Sequence, residues 1–149
     1  MRTFLRLSMF CAALSVAVNS YAVDGIAVFR DNCAACHQAN ARGALGVAPP
    51  LIGSHWNALQ NPQENYILQV LSAGLIGKIT VNGESFNGAM PSFKYLDAED
   101  VAAVGNYVLS LNKLAGETPV VTARDVMAAR AKNMKPAQVR ALRQTLVKE

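Results

Sequence analysis

The segment from Cys33 to His37 reads C-A-A-C-H, two thiols three positions apart followed at once by an imidazole. Three kinds of chemistry use such a segment: a redox disulfide, a zinc site, or covalent attachment of a haem. A redox disulfide of the thioredoxin kind needs a strand–helix–strand context. The residues around this segment instead predict a helix followed by a loop, so the redox interpretation is weak.

A structural zinc site needs four ligands in a tetrahedron. His37 directly follows Cys36, so the two side chains cannot easily reach one ion together with Cys33. Haem suits all three residues. Thiols at i and i+3 share a helical face and can form thioether bonds to the two vinyl groups, while the adjacent imidazole can bind the iron. The segment therefore predicts one covalent haem c attached through Cys33 and Cys36, with His37 as the proximal iron ligand.

Residues 1–22 have the layout of a secretory signal peptide. Two arginines precede an uncharged apolar run over residues 7–18, and small residues allow cleavage after Ala22. An uncleaved anchor is disfavoured because 12 apolar residues are too few to span a bilayer. Cleavage would discard Cys11 and leave only the two thiols of C-A-A-C-H. We therefore expect a periplasmic protein of one small domain, with no membrane span after signal cleavage.

Charge is unevenly distributed over the exported part of the chain. Residues 23–117 hold five Lys/Arg and eight Asp/Glu, whereas residues 118–149 hold seven Lys/Arg and two Asp/Glu. Export makes nucleic acid an implausible partner for the basic segment. The basic segment is either a docking surface for a partner or a solvated helix face, and we favour the solvated face.

The remaining pattern predicts a mostly helical chain with long loops, including one over residues 40–52. A small hairpin is indicated by Asn82-Gly83 between two apolar-bearing arms. Helix-start and helix-stop signals complete the map. Helices are predicted to start at Asp24, Asn61, Asp97, Thr122 and Pro136. The first carries Ile26, Phe29 and Cys33 on one apolar face. The second ends at Gly74, and the third buries a face that runs from Val101 to Leu111.

A second iron ligand decides whether a haem transfers electrons or leaves an open site for a small molecule. Met90 is the candidate, because Pro91 keeps it out of a helix and Gly88 lets a loop approach a flat group. Met127 and Met134 lie in the basic segment and are expected to be packing or gap-filling residues. His55, the competing imidazole, is expected at the surface.

The sequence resembles the class I c-type cytochromes. The resemblance rests on C-A-A-C-H, on the later G-A-M-P-S-F and on a pair of helices that bear glycine and aromatic residues. The resemblance covers residues 24 to 112. It implies an all-α class I cytochrome c fold, with helices packed around one covalent haem, a small hairpin before the Met90 loop and a C-terminal helical extension. It also implies that helices bearing Gly25 with Phe29 and Val104 with Tyr107 cross closely.

The segments P-P-L-I-G-S-H-W and I-T-V-N-G-E-S-F-N-G-A-M-P-S-F are similar to cytochromes that serve periplasmic dehydrogenases and to cytochrome domains of copper nitrite reductases. The resemblance implies that a carbonyl of Pro49 or Pro50 holds His37 and that Trp56 contacts a haem propionate. The sequence as a whole is predicted to divide into a signal peptide (residues 1–22), a cytochrome c domain (residues 23–117) and a basic helical extension (residues 118–149).

We expect a non-enzymatic electron carrier whose partners are a periplasmic dehydrogenase, a nitrite reductase or a terminal oxidase. The alternatives are a dedicated cytochrome subunit of an oxidoreductase complex and, more weakly, a haem enzyme or gas sensor with an open distal site.

Overall fold

The computed structural model describes residues 23–112 and 120–147 of the 149-residue chain. The predicted signal peptide at residues 1–22 and the predicted boundary between residues 117 and 118 both lie outside the described residues.

The described residues form helices and one two-stranded antiparallel hairpin, as the sequence predicts. In chain order the elements are α1 (Gly25–Asn32), α2 (Ala34–His37), α3 (Trp56–Leu59), α4 (Tyr66–Ala73), β1 (Leu75–Val81), β2 (Glu84–Met90), α5 (Ala98–Ser110), α6 (Ala123–Ala131) and α7 (Pro136–Leu146).

Helices α1 and α5 cross at close range. The side chain of Asp24 accepts a hydrogen bond from the backbone of Ile26 and caps α1. A Cβ at Gly25 would overlap the carbonyl oxygen of Ala103 in α5. One turn further on, the rings of Phe29 and Tyr107 meet edge to face with centroids 5.2 Å apart. The glycine and the aromatic pair therefore fix this crossing, as the resemblance implies.

Two residues assigned to buried faces are exposed. Ile26 is 60% exposed, because the close approach at Gly25 turns the neighbouring side chain away from α5. Leu111 lies beyond the last helical residue of α5, in its cap, and is also exposed. The other residues predicted on these apolar faces that are named here are buried. They are Phe29 in α1, Cys33 directly after it, and Val101 and Val108 in α5.

Helix α4 begins later than its sequence signal predicts. Asn61 accepts hydrogen bonds from two backbone amides, but they belong to an isolated turn. Asn65 then takes a positive φ of 46°, which interrupts any continuous helix, and α4 starts at Tyr66. Gly74 ends it as predicted. The helix is buried on nearly every side, including Gln69.

The hairpin is longer than predicted. Asn82 and Gly83 both have positive φ, as a two-residue turn of this kind requires. The pairing then extends from Val81 opposite Glu84 to Leu75 opposite Met90. Met90 is therefore the last residue of β2, and not part of a loop that follows the hairpin.

Helices α6 and α7 pack on the rest of the chain. Thr122 and Asp125 form a reciprocal capping box at the start of α6. Val126 in α6 and Val139 in α7 are fully buried, and the two helices contact α4, α5 and β1. The prediction of a solvated basic face is wrong for Arg143, which is only 3% exposed.

Candidate functional site

A cavity opens between α2, α3, α4, the hairpin, α5 and α7. Its empty space, counted out to the open mouth, is about 1210 Å³. Every site residue that the sequence predicts lines this cavity. They are Cys33, Cys36, His37, Pro49, Pro50, Trp56 and Met90.

Most of the cavity wall is apolar. The helices and both strands contribute to it through Leu59, Ile67, Val70, Leu71, Leu75, Ile79, Val81, Phe86, Phe93, Val104 and Val108. Gly77 and Gly88, which are opposite each other in the hairpin, add only backbone to the wall. Such a surface suits a large, flat and mostly apolar group.

The two thiols have different environments. Cys33 follows α1 and is buried, whereas Cys36 lies in α2 and is exposed. Burial, with a smaller contribution from nearby Cys36, raises the pKa of Cys33 to about 11. Its sulfur therefore stays protonated at neutral pH, unlike the low-pKa thiolate of a redox-active cysteine pair. This makes the disulfide-exchange interpretation weaker still.

His37 ends α2 and is buried, with its orientation fixed by a backbone group. Its Nδ1 lies 2.9 Å from the carbonyl oxygen of Pro49, so of the two prolines left open by the sequence it is Pro49 that makes this contact. A carbonyl only accepts, so Nδ1 carries the proton and Nε2 keeps its lone pair. Burial lowers the pKa of His37, and the bond to Pro49 partly opposes that shift. A neutral imidazole of fixed tautomer is the form that binds a metal.

The loop after α2 carries Pro49 back to His37. The backbone amide of Leu51 donates to the carbonyl of Ala41, 2.8 Å away, and closes the loop at its base. Gly43 has a φ of 68°, and a Cβ there would overlap the carbonyl oxygen of Ala48. The loop thus reaches His37 only because glycine occupies position 43.

Met90 is half-buried and is held by the segment that follows it. The hydroxyl of Ser92 donates to the carbonyl of Ser72 in α4 over 2.6 Å. The amide of Phe93 donates to the carbonyl of Leu71 over 2.8 Å. These bonds tie the end of β2 to α4, so the position of Met90 depends on where α4 ends.

Trp56 and His55 lie together at another part of the cavity wall. Trp56 is 3% exposed, and its Nε1 has no hydrogen-bond partner within the described residues. His55 is half-buried, which corrects the expected surface position. Burial lowers the pKa of His55, and the charge of Arg143 adds to this; the Pro50 carbonyl and the Asn82 side chain partly oppose it.

The donor set fits a haem and does not fit zinc. Within residues 23–112 and 120–147, no three His, Cys, Asp or Glu side chains are grouped so as to hold a metal ion. The imidazoles of His37 and His55, one thioether and two thiols instead line a mostly apolar cavity that has a buried indole N–H in its wall. A porphyrin supplies four further nitrogen ligands of its own, so the protein needs to provide at most two.

Comparison with known proteins agrees with this fit. The profile of the cytochrome c family matches residues 22–112. Cytochrome c-552 of Thermus thermophilus is 39% identical over 128 residues, covering 83% of this chain and 96% of that protein. A second cytochrome c-552 from the same species is equally similar over 85% of its length. The FixP subunit of a cbb3-type cytochrome c oxidase from Sinorhizobium medicae is 33% identical over 98 residues, which are 65% of this chain and 32% of FixP.

The chain belongs to the cytochrome c family and has the class I monohaem fold. It is an electron-transfer protein rather than an enzyme, and it carries one covalent haem c, for which C-A-A-C-H is the attachment motif. Among the helices of the described residues, none is long and apolar enough to cross a membrane.

The end of α4 offers a test of how Met90 is positioned. Gly74 has a φ of 78°, and a Cβ there would lie 2.6 Å from the carbonyl oxygen of Met90. We expect Gly74→Ala to lower the free energy of unfolding by roughly 2–5 kcal/mol, combining backbone strain with steric overlap. Chemical denaturation followed by circular dichroism measures this.

Gly83→Ala is the matched control. Gly83 has a similar φ of 83°, but a Cβ there meets nothing within 4 Å. It should cost only the backbone strain, roughly 1–2 kcal/mol. Equal losses in the two variants would contradict a steric role for Gly74 beside Met90.

Proposed function

We propose that this protein is an exported carrier of single electrons whose haem is bound by Cys33 and Cys36 and ligated by His37 and Met90. The observation that carries the proposal is that one apolar cavity brings together both thiols, an imidazole of fixed tautomer and a thioether. These four side chains come from α2, the end of α1 and the end of β2, so no local segment could have gathered them.

Cys33 and Cys36 provide the covalent attachment. Each S–H adds across one vinyl group of the haem, with the sulfur bonding to one carbon and the hydrogen to the other, so the addition needs no oxidant. Burial raises the pKa of Cys33 to about 11, so its sulfur is present as S–H at neutral pH. His37 is next in sequence and is therefore carried to the iron by the same attachment.

Met90 and the apolar wall both raise the reduction potential. A thioether is a soft, weak donor that favours Fe(II), and His/Met ligation accordingly raises the potential. The apolar surroundings disfavour the extra positive charge of Fe(III). His37 is held by Pro49 and Met90 by the anchored end of β2, so neither ligand needs to move when the electron arrives or leaves.

The route for the electron is the cavity mouth near Cys36. Cys36 and Val47 both line the cavity and are exposed, and the neighbouring Leu45 is exposed as well. These residues give a small apolar rim through which an edge of the bound haem would be reached by a partner. A small rim suits the weak and short-lived encounters of redox partners.

Replacing the proposed axial sulfur tests this function. Met90→Leu keeps an apolar side chain of similar size but offers no ligand. We expect the midpoint potential to fall by on the order of 0.1 V, within the ~0.8 V range over which axial ligands tune haem. The weak far-red absorption of the ferric protein should disappear, and the ferrous protein should bind carbon monoxide at neutral pH.

Met127 is 58% exposed in α6, which corrects its expected packing role. Met127→Leu is therefore the control and should leave both properties unchanged. An unaltered potential and spectrum in Met90→Leu would rule Met90 out as the ligand. Rapid carbon monoxide binding by the unmodified protein would favour the alternative of an open distal site, that is, a haem enzyme or gas sensor.

Export is proposed from the signal-like residues 1–22, which would be removed before Val23. When the full-length gene is expressed in a bacterium with a haem c assembly system, the periplasmic fraction should contain a chain that starts at Val23. Intact mass spectrometry should give the mass of that chain plus one haem. A haem-bearing product that retains residues 1–22 would argue for an N-terminal anchor instead.

We further propose a terminal oxidase as the electron acceptor, since the FixP relative and a CcoP relative from Azospirillum brasilense are subunits of cbb3-type oxidases. Membranes of the source organism should oxidise the reduced protein, and cyanide should block the reaction. Oxidation that continues under cyanide would point to another acceptor, such as a nitrite reductase. Stable co-purification with a dehydrogenase would favour the alternative of a dedicated subunit.

A further inference from the structure

The side chain of Asn112 joins the end of α5 to the loop that carries Pro49. Asn112 directly follows the cap residue of α5 and is 8% exposed. Its Nδ2 donates to the carbonyl oxygen of Leu51 over 2.7 Å, and its Oδ1 accepts from the amide of Gly53 over 3.0 Å. The two bonds connect residues that are 61 and 59 positions apart, so they fix the loop against a helix that is remote in sequence.

Asn112 is itself held in place by two more hydrogen bonds. Its Nδ2 also donates to the carbonyl oxygen of Val108, one turn back in α5, over 3.1 Å. Its backbone carbonyl accepts from the side chain of Gln60, directly after α3, over 2.9 Å. A carboxamide has two N–H donors and one carbonyl acceptor, and each of these three groups is engaged. A buried side chain with every polar group in use holds one orientation and restrains the groups that it contacts.

The loop needs such an anchor because two prolines follow each other in it. Neither Pro49 nor Pro50 has a backbone N–H, so this part of the loop cannot be held through amide donors of its own. The next amide along the chain, that of Leu51, donates to the carbonyl of Ala41 over 2.8 Å. Asn112 binds the carbonyl of the same residue. Both backbone polar groups of Leu51 are therefore fixed, two residues away from Pro49.

The carbonyl of Pro49 is the group that binds the proposed iron ligand. Nδ1 of His37 donates to this carbonyl oxygen over 2.9 Å. A hydrogen bond at Nδ1 makes the opposite ring nitrogen, Nε2, a stronger donor to a metal. A stronger donor favours Fe(III), so the position of the Pro49 carbonyl affects the reduction equilibrium as well as the orientation of the ring.

We propose that Asn112 is a positioning residue for the haem iron: it holds residues 49–53 so that the Pro49 carbonyl keeps its bond to His37. The proposal rests on the proposed ligation of the iron by His37 and is independent of Met90. The crossing of α1 and α5 gives both partners of this bond a common frame, because α1 leads into the attachment motif and α5 leads into Asn112.

Replacing the carboxamide tests the proposal. Asn112→Leu removes all three side-chain hydrogen bonds and keeps a branched side chain. Because the Pro49 carbonyl is then no longer held, we expect the reduction equilibrium to move about threefold toward Fe(II). In the ferrous protein the NMR signal of the Nδ1 proton of His37 should move upfield, and this proton should exchange faster with water. Potentiometric titration and NMR spectroscopy measure the two effects.

Asn106→Leu is the matched control. Asn106 also lies on α5 and also holds a remote segment, since its side chain donates to and accepts from the backbone of Val121, each over 2.8 Å. That segment does not carry Pro49. Both variants should unfold at a lower denaturant concentration, but only Asn112→Leu should change the potential and the Nδ1 signal. If Asn112→Leu changes neither property, or if Asn106→Leu changes both equally, Asn112 contributes only to stability and the proposal is overturned.

Asn112→Ser decides the matter if the leucine variant does not fold. A serine hydroxyl near a helix end can bond to the carbonyl four residues back, which here is that of Val108. The serine side chain is one bond shorter than the carboxamide, so its contact with Leu51 is lost. Asn112→Ser should therefore reproduce the shift toward Fe(II), and an unchanged potential in this variant would overturn the proposal.

The unmodified protein separates failure of this proposal from failure of the ligation by His37. If His37 binds the iron, its ring lies over the haem, and the ring current of the haem shifts the ring protons strongly upfield in the ferrous protein. Unshifted protons would overturn the ligation and the role of Asn112 together. Shifted protons, with no effect of either Asn112 variant on the potential, would overturn the role of Asn112 alone.

Discussion

The apolar cavity is the constraint on which the rest of this structure depends. Protein interiors pack as densely as organic crystals, so side chains from every layer need a partner of matching shape. In this chain α4, the hairpin and α5 direct apolar side chains at a common centre, among them Leu71, Ile79 and Val104. A haem held in the cavity would be the partner that these side chains share, and burying its apolar faces would help to hold the elements together.

The close backbone contacts follow from that constraint. The walls around a flat group must approach one another at its edges, where side chains would keep them apart. Glycine occupies three such places: Gly25 at the α1–α5 crossing, Gly43 where the proline loop folds back, and Gly74 beside the backbone of Met90. Each brings one segment of the cavity wall into contact with the next, so close backbone packing fixes where the chain segments that carry His37 and Met90 lie.

Local signals in the sequence were sufficient for much of the fold and for the haem attachment motif. The attachment motif, the cap at Asp24, the capping box at Thr122 and the Asn82-Gly83 turn each depend on a few neighbouring residues. Non-local features were not predictable in this way. The exposure of Ile26 and the cavity position of His55 both depend on how remote helices pack.

The basic C-terminal segment shows why charge counts alone mislead about function. Its excess of Lys and Arg is consistent with either a docking surface or a solvated helix face, but these charges do not form one surface. Arg143 faces the cavity, and the guanidinium of Arg130 donates to the carbonyl of Leu96, whereas Arg124 is exposed. Because Val126 and Val139 are fully buried, deleting the segment would disrupt the core along with any docking face. Its electrostatic roles can therefore be separated only by single substitutions that distinguish inward from outward charges.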